Sequence, residues 1–168
     1  MKGKPAYLGL LLAFAMMLSY IETLIPFAVG IPGVKLGLAN LAVVLCLYLF
    51  RFREAFLLTG VNAVVCGFLF GNLSMIIYSL AGAVLSCLVM AAMVKSDSFH
   101  IPVVSAVGGV MHNAGQLLVA YITVRTYGVV YYVPVLIISG LLTGIVIGTV
   151  TSLVLPYIKT VMKRSGQL

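Results

Sequence analysis

Apolar residues run along this chain in six stretches, each broken by a short polar, glycine- or proline-rich interval. Roughly twenty residues of helix, at about 1.5 Å each, cross a hydrocarbon core about 30 Å thick. The pattern predicts helices at about 6–24, 36–50, 55–70, 74–94, 102–124 and 134–155. Pro5 suits the first turn of helix 1. The interval 25–35 is unlike the others. Pro26, Gly30, Pro32 and Gly33 exclude a continuous helix, yet the stretch is too apolar for a solvated loop. It predicts an inserted loop between helices 1 and 2, folded back into the mouth of the bundle as a plug. Non-helical backbone is tolerated at membrane depth only when buried in protein or lining a cavity.

Against this apolar background a few polar residues stand out. His112, Asn113 and Gln116 lie inside the run that begins at Pro102. Counted along a helix, His112 falls roughly 15 Å in, near the middle of the core. His112 and Gln116 are four residues apart and share a face, with Asn113 beside them. Polar groups at that depth are costly unless they meet protein, water or a ligand. Glu22, Asn40 and Asn62 fall in other predicted spans, and Lys35 and Arg125 at their rims. Together they predict a pocket between helices 1, 2, 3 and 5, with His112, Asn113 and Gln116 as its floor and Asn40 and Asn62 as its walls. Lys35 and Arg125 would receive an anionic group at the mouth. His112→Ala and Asn113→Ala are expected to lose binding and keep the fold. Plainer roles compete: Asn40 and Asn62 as bonds across helix interfaces, Glu22 and Lys35 as a salt bridge, Arg125 as an interfacial anchor.

Composition agrees with the pattern. The chain is 63% hydrophobic and 8% charged, with a mean hydropathy of +1.24; soluble domains are about 25% charged. Its 168 residues make a single transmembrane domain, 1–168, of six helices. The net charge of +7 does not indicate nucleic acid, because the basic residues are scattered between apolar runs. They report topology instead. With six spans, Lys2, Lys4, Arg51, Arg53, Lys95, Lys159, Lys163 and Arg164 share one side, eight of the ten basic residues. The positive-inside rule makes that side cytoplasmic, with both termini on it. The first residues resemble a secretory signal, with Ala13-Phe14-Ala15 as a small-residue site, but the apolar run continues past them and reads as an uncleaved helix.

Catalysis finds little support. The three acidic residues, Glu22, Glu54 and Asp97, fall in three different places, so no carboxylate pair shares a site. No P-loop or nucleophile elbow is present. Cys46, Cys66 and Cys87 have no metal-binding spacing and read as small apolar groups. His112 has no second deep histidine with which to hold haem or metal, and no cofactor is expected. Gly140, Gly144 and Gly148 form a close-packing face on helix 6 that permits a homodimer.

The stretch Pro32-Gly33-Val34-Lys35-Leu36-Gly37-Leu38-Ala39-Asn40, with His112-Asn113-Ala114-Gly115-Gln116-Leu117, resembles a bacterial membrane family. That family is named both the Gx transporter family and heptaprenyl diphosphate synthase component I. Prenyl diphosphate synthases hold magnesium and diphosphate with aspartate-rich motifs. This chain has one aspartate, Asp97, so the resemblance implies at most a non-catalytic membrane partner of a soluble synthase. The layout also resembles the S components of energy-coupling factor transporters, all-α polytopic proteins of six helices with an outward-facing substrate pocket. Those dock a transmembrane coupling subunit, tied to ATPases, through small residues on helix 1. Gly9 and Ala13 stand where their alanine pair would be, with Met17 following. The two likenesses give two expectations. The first is a transporter subunit of the bacterial plasma membrane that binds a small anionic or amphipathic substrate and takes energy from its partners. The second is a membrane subunit in polyprenyl and quinone synthesis.

Overall fold

The structure, a computed structural model, describes residues 3–24, 37–124, 131 and 133–164. Among these residues six α-helices follow in order: α1 Lys4–Leu24, α2 Asn40–Leu49, α3 Phe52–Phe70, α4 Leu73–Ser96, α5 Ile101–Val124 and α6 Val133–Arg164. Five of them, all but α2, are long and apolar enough to cross a membrane. The chain therefore has the build of a multi-pass membrane protein. The expected inserted loop at 25–35, with Lys35, lies outside the described residues, as does Arg125.

Two helices depart from the expected boundaries. Helix 2 was expected over 36–50, but α2 has ten residues, about 15 Å, half of a hydrocarbon core. Gly37 sits at φ +87° just before it, a backbone state that ends a right-handed helix and that glycine adopts without a Cβ clash. Helix 6 runs nine residues beyond 155, through Pro156, to Arg164. Pro156 removes one helical N–H donor, and the helix continues through it.

The short α2 is the hub of the bundle. It touches all five other helices, and eight of its ten residues are buried. Around it α1 packs on α3, α3 on α4, α4 on α5 and α5 on α6. The helices alternate in direction. Tyr7 near the start of α1, Leu49 at the end of α2, Ile101 at the start of α5 and Met162 near the end of α6 meet in one apolar cluster. Met93 and Val94, near the end of α4, join Phe50 and Ile101 in the adjoining core. Lys4 and Glu54 form a salt bridge that ties the starts of α1 and α3 at this same end.

Glycines set how closely α4, α5 and α6 approach. A Cβ on Gly109 would lie 2.2 Å from the Gly140 carbonyl oxygen, one on Gly144 2.5 Å from that of Ser105, and one on Gly148 2.5 Å from the Pro102 Cα. On the other side of α5, a Cβ on Gly115 would lie 2.7 Å from the Ala81 carbonyl oxygen. Backbone meets backbone at these positions, and any side chain would force the helices apart. The helix 6 glycines are thus used inside the chain against α5. They cannot also be the face of a homodimer, which corrects the expectation above.

Candidate functional site: a polar chamber at the start of α2

Because α2 begins half-way along the bundle, its first turn opens a space that longer neighbours enclose. The chamber, of about 40 Å³, is lined by Ser19 and Glu22 of α1, Asn40 of α2, Thr59 and Asn62 of α3, Ser79 of α4 and His112 of α5, with Gly37 at its edge. It lies toward the end of the bundle opposite the Lys4–Glu54 pair, since Glu22 stands 18 residues along α1 from Lys4, about 27 Å of helix. That volume holds about three waters. It is far below the roughly 300 Å³ of sites that engulf drug-sized ligands, and suits a compact polar group.

Each polar wall is tied to its neighbours. The Asn62 amide donates to Ser19 Oγ at 3.1 Å, joining α3 to α1, and the Cys66 thiol donates to Asn62 Oδ1 at 3.4 Å. The Asn40 amide donates to Ser86 Oγ at 3.4 Å, joining α2 to α4. Both asparagines therefore bridge helices and line the chamber at once. The Gly37 N–H donates to Glu22 Oε1 at 2.5 Å, and Glu22 is buried. This carboxylate stands at the N-terminal end of α2, where the helix dipole favours negative charge. The place in the described chamber best suited to an outside anion is thus held by the chain's own acid. The cations expected to attract an anion, Lys35 and Arg125, lie outside the described residues.

The floor divides. His112 lines the chamber and sits against Gly37 and Gly82; a Cβ on Gly82 would lie 2.6 Å from the His112 carbonyl oxygen. Gln116, one turn on, is fully buried and places its Nε2 3.1 Å from His112 Nε2. Asn113 points the other way. Its amide donates to the Leu136 carbonyl at 2.6 Å and to Ser139 Oγ at 3.4 Å, both on α6. Residues 112 and 113 are separated by about 100° around a helix, so one meets α4 and the chamber while the other meets α6. Asn113 belongs to the α5–α6 interface and is not part of the lining.

Gly9 and Ala13 are exposed on the outer face of α1, and nothing lies within 4 Å of where a Gly9 Cβ would be. The three cysteines are buried and free. Among the described residues no three His, Cys, Asp or Glu side chains gather to hold a metal ion. Ser19, Thr59 and Ser79 escaped notice as site residues. Their signal is helical spacing: Ser19 and Glu22 on α1, Thr59, Asn62 and Cys66 on α3, Ser79, Gly82, Ala83 and Ser86 on α4 each repeat at three or four residues. Small polar residues on one stripe of three neighbouring helices converge when those stripes face inward.

Compared with known proteins, no curated protein and no solved structure gives a significant match. A family model does match, over residues 11–154, which takes in α2 to α5, most of α1 and α6, and all of the chamber. The chain belongs to the heptaprenyl diphosphate synthase component I family.

Proposed function

We propose that this protein is the membrane component of a two-part heptaprenyl diphosphate synthase, recruiting a soluble catalytic partner to the bacterial plasma membrane and not performing the condensation itself. The family match over residues 11–154 carries this reading. The chain's own chemistry supports it. Its single aspartate, Asp97, caps the C-terminal end of α4 in a left-handed conformation, so an aspartate-rich magnesium site has no residues from which to form. In this reading all six helices make one domain embedded in the bilayer. The end that carries Lys4, Arg51, Arg53, Lys95, Lys159, Lys163 and Arg164 faces the cytoplasm, with both termini, and meets the synthase. The chamber lies in the outer half and holds a compact polar group, with His112 and Asn62 as its principal donors and acceptors.

A second reading, a transporter subunit resembling an S component, draws on two observations: a polar chamber deep in an apolar bundle, and a small-residue face on α1 left open for another helix. Affinity purification of the tagged chain from its own membranes in mild detergent separates the two. Recovery of a soluble prenyl diphosphate synthase in stoichiometric amount is the expected outcome. Recovery of a transmembrane coupling subunit with ATPases, and no synthase, would reject the proposal in favour of the transporter.

A further inference from the structure

At the basic end the bundle has a second concavity, remote from the chamber. Because α2 stops at Leu49 and makes slight contact with α4, the last turns of α4 are left uncovered. The result is a groove of about 500 Å³ between the end of α2, the start of α3 and the end of α4. Leu47, Phe50, Leu88 and Ala92 give it an apolar floor, and Arg51 and Lys95 stand on its wall. Among the described residues no acidic side chain lines it. Both cations are exposed, and among the described residues neither takes part in an ion pair, the acid nearest in sequence to Arg51 being engaged by Lys4. Arg51 also caps α3, so the positive end of that helix dipole opens on the same side.

We propose that this groove binds a polyprenyl diphosphate, with the diphosphate at Arg51 and Lys95 and the first isoprene units along the apolar floor. The proposal rests on the reading above, in which the partner makes such a molecule. Charge complementarity selects the occupant. A diphosphate carries at least two negative charges on one hydrocarbon tail, which matches two unpaired cations beside one apolar trough. A zwitterionic phospholipid offers no net charge, and an anionic one offers a single phosphate charge on two tails. Charge-assisted contacts to phosphate are the strong class of hydrogen bond, and Arg presents a planar fork to it. A product too apolar to leave in water would thus pass from the soluble synthase to the bilayer along the membrane subunit.

The test uses the full chain in phosphatidylcholine nanodiscs and measures binding of heptaprenyl diphosphate, with heptaprenol, inorganic diphosphate and phosphatidylglycerol as comparison ligands. Replacing both cations, Arg51→Gln with Lys95→Gln, is expected to weaken heptaprenyl diphosphate by about tenfold or more, the scale of losing two charge-assisted contacts, and to leave heptaprenol unchanged. Ala92→Trp, which fills the floor, is expected to weaken both. Equal affinity of wild type and the double variant overturns the proposal. So does displacement by phosphatidylglycerol at equal concentration, which would make this a site for anionic membrane lipid. A chain that recruits the synthase but fails these tests loses the groove alone. One that binds heptaprenyl diphosphate through Arg51 and Lys95 but recruits no synthase keeps the groove and loses the two-part enzyme.

Discussion

Two faces of α5 carry adjacent polar residues at the same depth, and they do different work. On one, His112 and Gln116 pair with each other beside the chamber. On the other, Asn113 holds a carbonyl of α6 where glycines bring the two backbones together. The first face keeps polar groups around open space. The second uses its polar group to close an interface that has none. Depth in the membrane marks both as costly. Only the partner across the interface tells which cost is met by packing and which is left for a ligand.

The difference should appear first in stability, and most strongly on the α6 face. Gly140→Val is expected to cost more than about 3 kcal/mol, since its Cβ would stand 2.7 Å from the Gly109 carbonyl oxygen and the helices must separate. Thermal unfolding in detergent should show a large fall in Tm or no folded protein. A native Tm would mean that α5 and α6 are not in backbone contact. Asn113→Ala comes next, at about 1 kcal/mol, the usual worth of a hydrogen bond between buried helices. It should lower Tm and leave the chamber's occupant bound. Loss of ligand at unchanged Tm would return Asn113 to the chamber.

The helices were legible because their signal is local. Runs of apolar residues and their breaks put five of the six within a few residues of the structure, and the sixth, α6, in place but short. α2 was found but drawn too long, for a tertiary reason. Its apolar residues look like a span, whereas eight of ten are buried by protein, and burial in protein or lipid selects the same residue types. The chamber was half legible. Glu22, Asn40, Asn62 and His112 are conspicuous anywhere in a membrane, and the structure brings all four to one space. Ser19, Thr59 and Ser79 are common in packed helices and become site residues only once their stripes converge. Asn113 was assigned to the floor because it adjoins His112; the 100° step of the helix separated them.

On the chamber face, Gln116 offers a finer distinction than stability. With its Nε2 toward the ring the amide can only donate, and in that orientation a neutral His112 accepts at Nε2 and carries its proton on Nδ1. Gln116 Oε1 is buried without a hydrogen-bond partner. Gln116→Leu removes that unsatisfied oxygen along with the donor, so the change in stability should stay within about 1 kcal/mol, of either sign. The tautomer should move. The chain has two histidines, His100 and His112, so a His100→Gln background leaves one imidazole to observe by nitrogen NMR. A single Nδ1-protonated form that becomes a mixture in Gln116→Leu supports the assignment. An Nε2-protonated form in the wild type would mean that the amide is turned, with Oε1 toward the ring.

The smallest effect is expected on α1, and it separates packing inside the chain from packing against another protein. Gly9, like Gly140, is a glycine in an apolar helix, but an added Cβ there meets nothing within 4 Å. In the isolated chain Gly9→Leu should therefore cost no stability, and helix propensity favours leucine over glycine by up to about 1 kcal/mol. A loss of several degrees in Tm would show that the face is covered within the chain or by a second copy. With Tm undiminished, the same variant asks whether α1 is a docking face. A bulky residue at a small-residue contact holds a partner helix away, so a coupling subunit bound through Gly9 and Ala13 would be lost on purification. A soluble synthase held at the basic end, about one turn and more beyond Gly9, would be retained. Retention of the synthase with Gly9→Leu is the outcome the proposed function requires, because it puts the partner on charged loops and leaves the open face of α1 to lipid.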